Sequence, residues 1–347
     1  MSIKIKDKLM SIPIVQGGMG IGISMGELAG TVAAEGGMGT ISFVNCGYME
    51  SDFFKNPMEA NKRSFLREVK KAKEIANGKG IIMVNIMHVV NNFENYLKFI
   101  NETEVDGVVV GAGLPLELPE FIDNKKIIAP IISSARALNI IIKKWLKKYN
   151  RKPDFIVFEG PEAGGHLGFK VEDLNTDIFK ELSEILKVKN QFEEHIPLFI
   201  GGGFGTKEHF EKALEEGADG VQIGTGFLFT EESSLDRRAK ENLLNSHNQN
   251  KVGVEVIKSP VGLPARAIGT EFVEYTVKNR FPSKHCVNCI STCEPASTPY
   301  CINEALIRAV KGDFKEGLFF CGTDIKNIKK ISSVREYIAS ILGGKDE

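Results

Sequence analysis

Eight short apolar runs alternate with longer helical patterns through the first two-thirds of this 347-residue chain. The runs fall at 12–15, 39–44, 81–86, 107–110, 127–132, 155–158, 197–200 and 220–223. Continuous apolar runs of this length read as strands buried on both faces, as in parallel sheets. Helical patterns lie between them at 24–35, 61–76, 134–148, 173–186 and 207–216, with Ser24, Ser134 and Thr206 as expected N-caps. Strand and helix alternating to a count of eight predict an α/β fold, a (β/α)8 TIM barrel. An open doubly wound sheet gives similar alternation. The count, and the glycines gathered at the C-terminal ends of the strands, favour the barrel.

Those glycines carry the functional reading. Strand one runs into Gln16-Gly-Gly-Met-Gly20, strand seven into Gly201-Gly-Gly-Phe-Gly-Thr206 and strand eight into Gln222-Ile-Gly-Thr-Gly226. Glycine-rich strand ends expose backbone N–H groups, and a following helix N-terminus adds partial positive charge. In a barrel of this kind the site lies at the C-terminal face, with phosphate bound after strands seven and eight. A phosphorylated cofactor is therefore expected there. A fourth glycine-rich loop follows strand six, Glu159-Gly-Pro-Glu-Ala-Gly-Gly-His166-Leu-Gly168. Its histidine is the one residue type that changes charge near neutral pH without help from its surroundings, which suits His166 to moving protons.

Beyond strand eight the pattern changes. A polar helical segment at 231–245 precedes a proline-containing loop at 258–268 that can fold back over the barrel mouth, and helical patterns recur at 303–311 and 332–342. The expected organisation is a barrel at 1–248 and a C-terminal lid and cysteine-rich cap at 249–347, packed on the barrel rather than independent.

Lysine and arginine number 44 against 45 aspartate and glutamate, a net charge of -1 that gives no general footprint for nucleic acid or an anionic membrane. Apolar runs stop well short of a membrane span, and the N-terminus lacks an apolar signal core, so a cytoplasmic protein acting on a small molecule is expected. Six cysteines in a chain this long are no secreted disulfide framework. Four of them, Cys286, Cys289, Cys293 and Cys301, fall within sixteen residues, a spacing that can wrap zinc or an iron–sulfur cluster but matches no standard ferredoxin.

Taken together, Pro13-Ile-Val-Gln-Gly-Gly-Met19, the run from Leu28 to Gly39, Val84-Asn85-Ile86, Glu159 to His166, Gly201 to Gly203 and Val221 to Thr225 resemble the nitronate monooxygenase (2-nitropropane dioxygenase) family. That family includes the similar FMN-dependent enoyl-acyl carrier protein reductases of the second type. The resemblance spans about residues 8–275 and implies a (β/α)8 barrel holding FMN without a covalent link. It implies that Gly17, Gly18 and Met19 lie along the flavin, that Asn85 hydrogen-bonds it, and that Gly164 and Gly165 approach by backbone. Gly202, Gly203, Gly224 and Thr225 would hold the phosphate, and Gln16, Gly201 and Gln222 complete the candidate contacts. His166 would handle protons beside the ring. The implied reaction is oxidation of nitronates or nitroalkanes with molecular oxygen. The alternative is NAD(P)H-dependent reduction of an enoyl thioester on acyl carrier protein, for which Lys258 and Arg266 hint at a basic mouth. A homodimer is compatible with either. The cysteine cluster has no counterpart in the resemblance; bound iron–sulfur could feed electrons to the flavin, and zinc could staple the cap.

Overall fold

Each apolar run becomes a strand of one closed parallel barrel in the computed structural model, which describes residues 2–344. Met1 and residues 345–347, the outer ends of the two expected segments, lie outside the described residues. The strands are β1 (Ile14–Gln16), β2 (Met38–Ser42), β3 (Ile81–Met87), β4 (Gly107–Gly111), β5 (Ile127–Ile132), β6 (Ile156–Glu159), β7 (Leu198–Gly201) and β8 (Gly220–Ile223). Each pairs with the next in sequence, and β8 pairs with β1 through Val221 opposite Ile14, which closes the ring and rules out the open sheet. The fold is a (β/α)8 barrel.

Local chemistry explains the connections. Helix Pro57–Ala76 starts with proline in its first turn, where a missing N–H costs nothing, and ends at Asn77 in the left-handed region (φ 47). Ser134 and Thr206 cap their helices as expected, accepting N–H from Ala137 and His209. Ser24 does not. Its hydroxyl accepts Met19 N–H at 2.9 Å, and helix Gly26–Ala34 starts after an uncapped Met25.

Inside the barrel, Val15, Met38, Met83, Val109, Ala129, Val157 and Phe199 form a dry core. An N-terminal hairpin (Ile3–Ile5 with Lys8–Met10) adds Ile5 and Met10 to that core and closes the N-terminal face. Three aspartates lock strand register at that face. Asp106, Asp154 and Asp219 each stand just before a strand and accept the first or second N–H of the preceding one: Ile82 at 2.7 Å, Ile128 at 2.8 Å and Leu198 at 2.8 Å. Asp219 also faces Lys189 at 3.4 Å, a lysine only 4% exposed. Replacing Asp219 by alanine strands both a backbone donor and a buried cation. The expected loss in urea unfolding is on the order of 3 kcal/mol; a loss below about 1 kcal/mol would mean water replaces the carboxylate freely.

Helix Arg237–Asn248 follows the barrel, its N-cap Asp236 donating its backbone N–H to Val310 O at 3.1 Å. The stretch expected as a proline loop is a hairpin, β9 (Val254–Lys258) and β10 (Pro264–Ile268). Proline is tolerated here because Pro264 is the first residue of its strand. β10 then pairs with the two-residue strand Gly165–His166. Helices Ile302–Val310 and Val334–Leu342 complete the C-terminal segment, and their apolar faces join the core that surrounds the barrel. Among the described residues no helix is long and apolar enough to cross a membrane.

Candidate functional site

The C-terminal ends of the strands open into one cavity, with an empty volume of about 1520 Å³ that includes its mouth. Its walls come from the loops after the strands and from the C-terminal segment.

At the end of β1, Gly17, Gly18 and Met19 line the cavity, and Gly17 N–H is held by Ile223 O at 2.8 Å. Gln16 sits beneath them and does not line it, contrary to expectation. Its Oε1 accepts Thr40 N–H at 2.8 Å, and its Nε2 donates to Ser24 Oγ at 2.8 Å and to Gly17 O. With no exposed surface and every amide group engaged, Gln16 braces the loop rather than touching a ligand. Asn85 at the end of β3 does face the cavity, held loosely by Val109 O at 3.4 Å.

β6 delivers Glu159 and then the glycine-rich loop. Arg266, 8% exposed, pins that loop by donating to Pro161 O and, at 2.8 Å, to Ala163 O. It therefore contributes no basic patch to the mouth, and the paired hint with Lys258 fails. His166 Nε2 lies 2.7 Å from Ser259 Oγ, and Phe320 packs edge-on against the ring at 5.1 Å. Ser259 Oγ accepts Val261 N–H at 3.2 Å and has a second lone pair for the imidazole Nε2–H, the tautomer that leaves Nδ1 unprotonated. The ring keeps some surface toward the cavity but lies far from bulk water. Burial therefore pulls its pKa down to about 4, and His166 is neutral at pH 7.

β7 and β8 form the anion end. Gly202 and Gly203 take φ of 87 and 96, left-handed values that an L side chain rarely adopts. Gly201 stays inside β7, accepting Gly160 N–H at 2.8 Å, and does not line the cavity, so it too is corrected. Gln222, Gly224 and Thr225 do line it. A Cβ on Gly224 would stand in open cavity, 3.9 Å from the Met19 sulfur. Thr225 Oγ1 accepts Gly322 N–H at 2.8 Å, so its own proton is available to a ligand oxygen. Among the described residues no lysine or arginine lines the cavity; a phosphate here would rest on backbone N–H groups and the Thr225 hydroxyl. The two acids at this end are already occupied. Glu162 accepts Thr323 Oγ1 at 2.6 Å, and Asp324 accepts Gly205 N–H at 2.7 Å, with burial raising its pKa. Glycines along the wall, with the Thr225 hydroxyl and the backbone of Gly202, Gly203 and Gly224 at one end, fit a flat ring system carrying a phosphate.

Glu159, at the head of the glycine-rich loop, is a site residue with no expected role. It lines the cavity with no hydrogen-bond partner among the described residues, and burial pushes its pKa up to about 7. The sign follows from linkage. A carboxyl whose folded pKa lies above its unfolded value of 4.5 contributes stability that is full below pH 4.5 and lost as pH rises through 7. Glu159→Gln removes that dependence. Urea unfolding of the two proteins should agree near pH 5 and diverge toward pH 8, the glutamine form ending ahead by on the order of 2 kcal/mol. A gap that does not change with pH would contradict the assignment.

The roof is C-terminal: Val261, Cys289, Ile290, Asn303, Leu306, Phe320 and Gly322. The expected metal cluster is not assembled there. Among the described residues no three histidine, cysteine, aspartate or glutamate side chains are placed to hold a metal ion, and all six cysteines are free. Cys289 faces the cavity with its pKa pushed up to about 12 by burial, while exposed Cys286 accepts Asn288 N–H at 3.4 Å.

The model of the nitronate monooxygenase family matches residues 2–344. A probable nitronate monooxygenase of Staphylococcus saprophyticus is 27% identical over 287 residues, 75% of this chain and 76% of that protein. One of Staphylococcus haemolyticus is 27% identical over 290 residues, 76% of each. Among solved structures, FabK from Thermotoga maritima superposes with a TM-score of 0.72 at 23% identity, over 96% of this chain and 92% of that one. Nitroalkane oxidase from Streptomyces ansochromogenes gives 0.68 at 18% identity, over 96% of both chains. At these identities the solved structures speak for the fold alone.

Proposed function

The chain belongs to the nitronate monooxygenase family, and from that premise we propose that this FMN-dependent oxidoreductase oxidises alkyl nitronates with molecular oxygen. The observation that carries the reading is the neutral His166, held by Ser259 and Phe320 at the edge of the glycine-walled cavity. When bound, FMN supplies the electron transfer. The protein's part is binding, orientation and proton handling. Gly17 to Met19, Asn85 and Gly164 to Gly165 would flank the ring, and Gly202, Gly203, Gly224 and Thr225 would take the phosphate.

A nitronate arrives already deprotonated, so the site needs only to hold it and exclude water. A neutral nitroalkane must first lose its α-proton, and His166 is in the state a general base requires. The imidazolium formed would face the new nitronate charge, which offsets the desolvation that keeps the free ring neutral.

Oxygen uptake with propionate 3-nitronate, compared with NADH or NADPH plus a crotonyl thioester, tests the reading. Turnover of the nitronate with little response to the nicotinamides supports it. Efficient thioester reduction with no nitronate turnover would replace it with the enoyl reductase reaction, and acyl carrier protein would then become the expected partner.

A further inference from the structure

Across the mouth from His166 lies a polar corner that the proposed chemistry has not used. Asn45 follows β2, four strands from the β6 loop in a ring of eight, so the two stand on opposite sides of the opening. Asn45 takes a left-handed φ of 50, and its Nδ2 donates to Asn303 Oδ1 at 2.7 Å. That bond fixes the Asn303 amide with its own Nδ2 turned elsewhere. Asn303 is 1% exposed, lines the cavity, and its Nδ2 has no partner among the described residues.

A buried amide donor without an acceptor is costly unless a ligand supplies one. The surroundings say which kind. Asn303 lies in the first turn of helix Ile302–Val310, whose start has no side-chain cap and whose dipole favours negative charge. The carboxylate nearest in sequence is turned away: Glu304 does not line the cavity and accepts Ser283 Oγ at 2.9 Å and the N–H groups of Lys284 and His285. Cys289 beside Asn45 is held as a neutral thiol by burial. A free amide donor and a dipole select an anionic oxygen, and the cavity's carboxyl groups lie elsewhere on its wall: Glu159 ends β6, Glu162 follows it and accepts from Thr323, and Asp324 accepts Gly205 N–H beyond β7.

We propose that Asn303, positioned by Asn45 and the start of helix Ile302–Val310, binds an oxygen of a planar anionic substrate group, the O–N–O end of a nitronate. This rests on the reaction proposed above. It places the anion at the roof and the α-carbon toward His166, and makes Asn303 a substrate-specificity residue.

Nitrate, a planar anion of the same O–N–O geometry, is the probe, titrated into the flavin-loaded protein while the visible spectrum of the flavin is followed. Asn303→Leu should weaken nitrate at least tenfold, equal to about 1.4 kcal/mol, and Asn303→Asp, nearly isosteric but negative, should weaken it further. In steady state KM for propionate 3-nitronate should rise by the same factor with kcat within about twofold. FMN affinity should be unchanged. Nitrate binding that is absent in the wild type, or equal in all three proteins, overturns the proposal. So does loss of FMN instead of nitrate, which would assign Asn303 to the cofactor. Asn303-dependent nitrate binding in a protein that turns over no nitronate supports the anion site while refuting the reaction.

Discussion

Turnover of a neutral nitroalkane falls by about 10²–10⁴ when His166 becomes alanine, while turnover of the preformed nitronate falls less than tenfold. The split is the diagnostic part. Only the neutral substrate needs a base, and His166 is the neutral imidazole at the cavity wall, oriented by Ser259 at 2.7 Å and backed by Phe320. Its pKa of about 4 has a second consequence. The base form is lost only as pH falls through that region, so the histidine imposes no acid limb between pH 6 and 8. Oxygen uptake with nitroethane and with ethyl nitronate, measured side by side, gives both numbers. Equal losses on the two substrates would make His166 a structural or flavin-positioning residue instead.

The second large effect comes from packing. Gly164 lies against the backbone of the C-terminal segment, and a Cβ there would stand 2.5 Å from the Cys321 carbonyl carbon and 2.5 Å from Gly322 N. Both obstacles are main chain, so neither can rotate away. Gly164→Ala must therefore push that segment off the β6 loop. Gly322 N–H then leaves Thr225 Oγ1, and Thr323 leaves Glu162. Overpacking of this kind costs about 1–3 kcal/mol, and here it falls on the anion end of the cavity. FMN affinity should drop by about tenfold to a hundredfold, the equivalent of that cost, read from the recovery of flavin fluorescence on dilution. Gly253→Ala is the control, because nothing lies within 4 Å of its added Cβ. Equal FMN retention in both variants would mean that the segment yields without consequence.

The barrel was legible because fully buried parallel strands leave short unbroken apolar runs. The expected runs at 127–132 and 220–223 coincide with β5 and β8, and the others shift by only a few residues. Glycines at strand ends pointed to most of the residues that line the cavity, since such positions let the backbone face an opening. What stayed hidden depended on distance along the chain. Ser259 reaches His166 across 93 residues, Asn303 reaches Asn45 across 258, and Arg266 holds the loop across more than a hundred. No local pattern encodes such pairs. Gln16 and Gly201 misled because they sit within the right motifs, yet their side chain or backbone is consumed by the barrel itself. Ser24 looked like a cap for the same kind of reason, and its hydroxyl is taken by Met19 N–H and Gln16. The cysteines illustrate the converse: spacing can bring four thiols close in sequence, but the fold turns Cys289 into the cavity and Cys286 out to solvent.

Anaerobic mixing of the purified yellow protein with propionate 3-nitronate, and separately with NADH and NADPH, tests the central claim most directly. The flavin's visible absorbance reports reduction in each case. Rapid bleaching by the nitronate with a sluggish response to both nicotinamides is the predicted result. Fast bleaching by NADH or NADPH, with the nitronate inert, would contradict it.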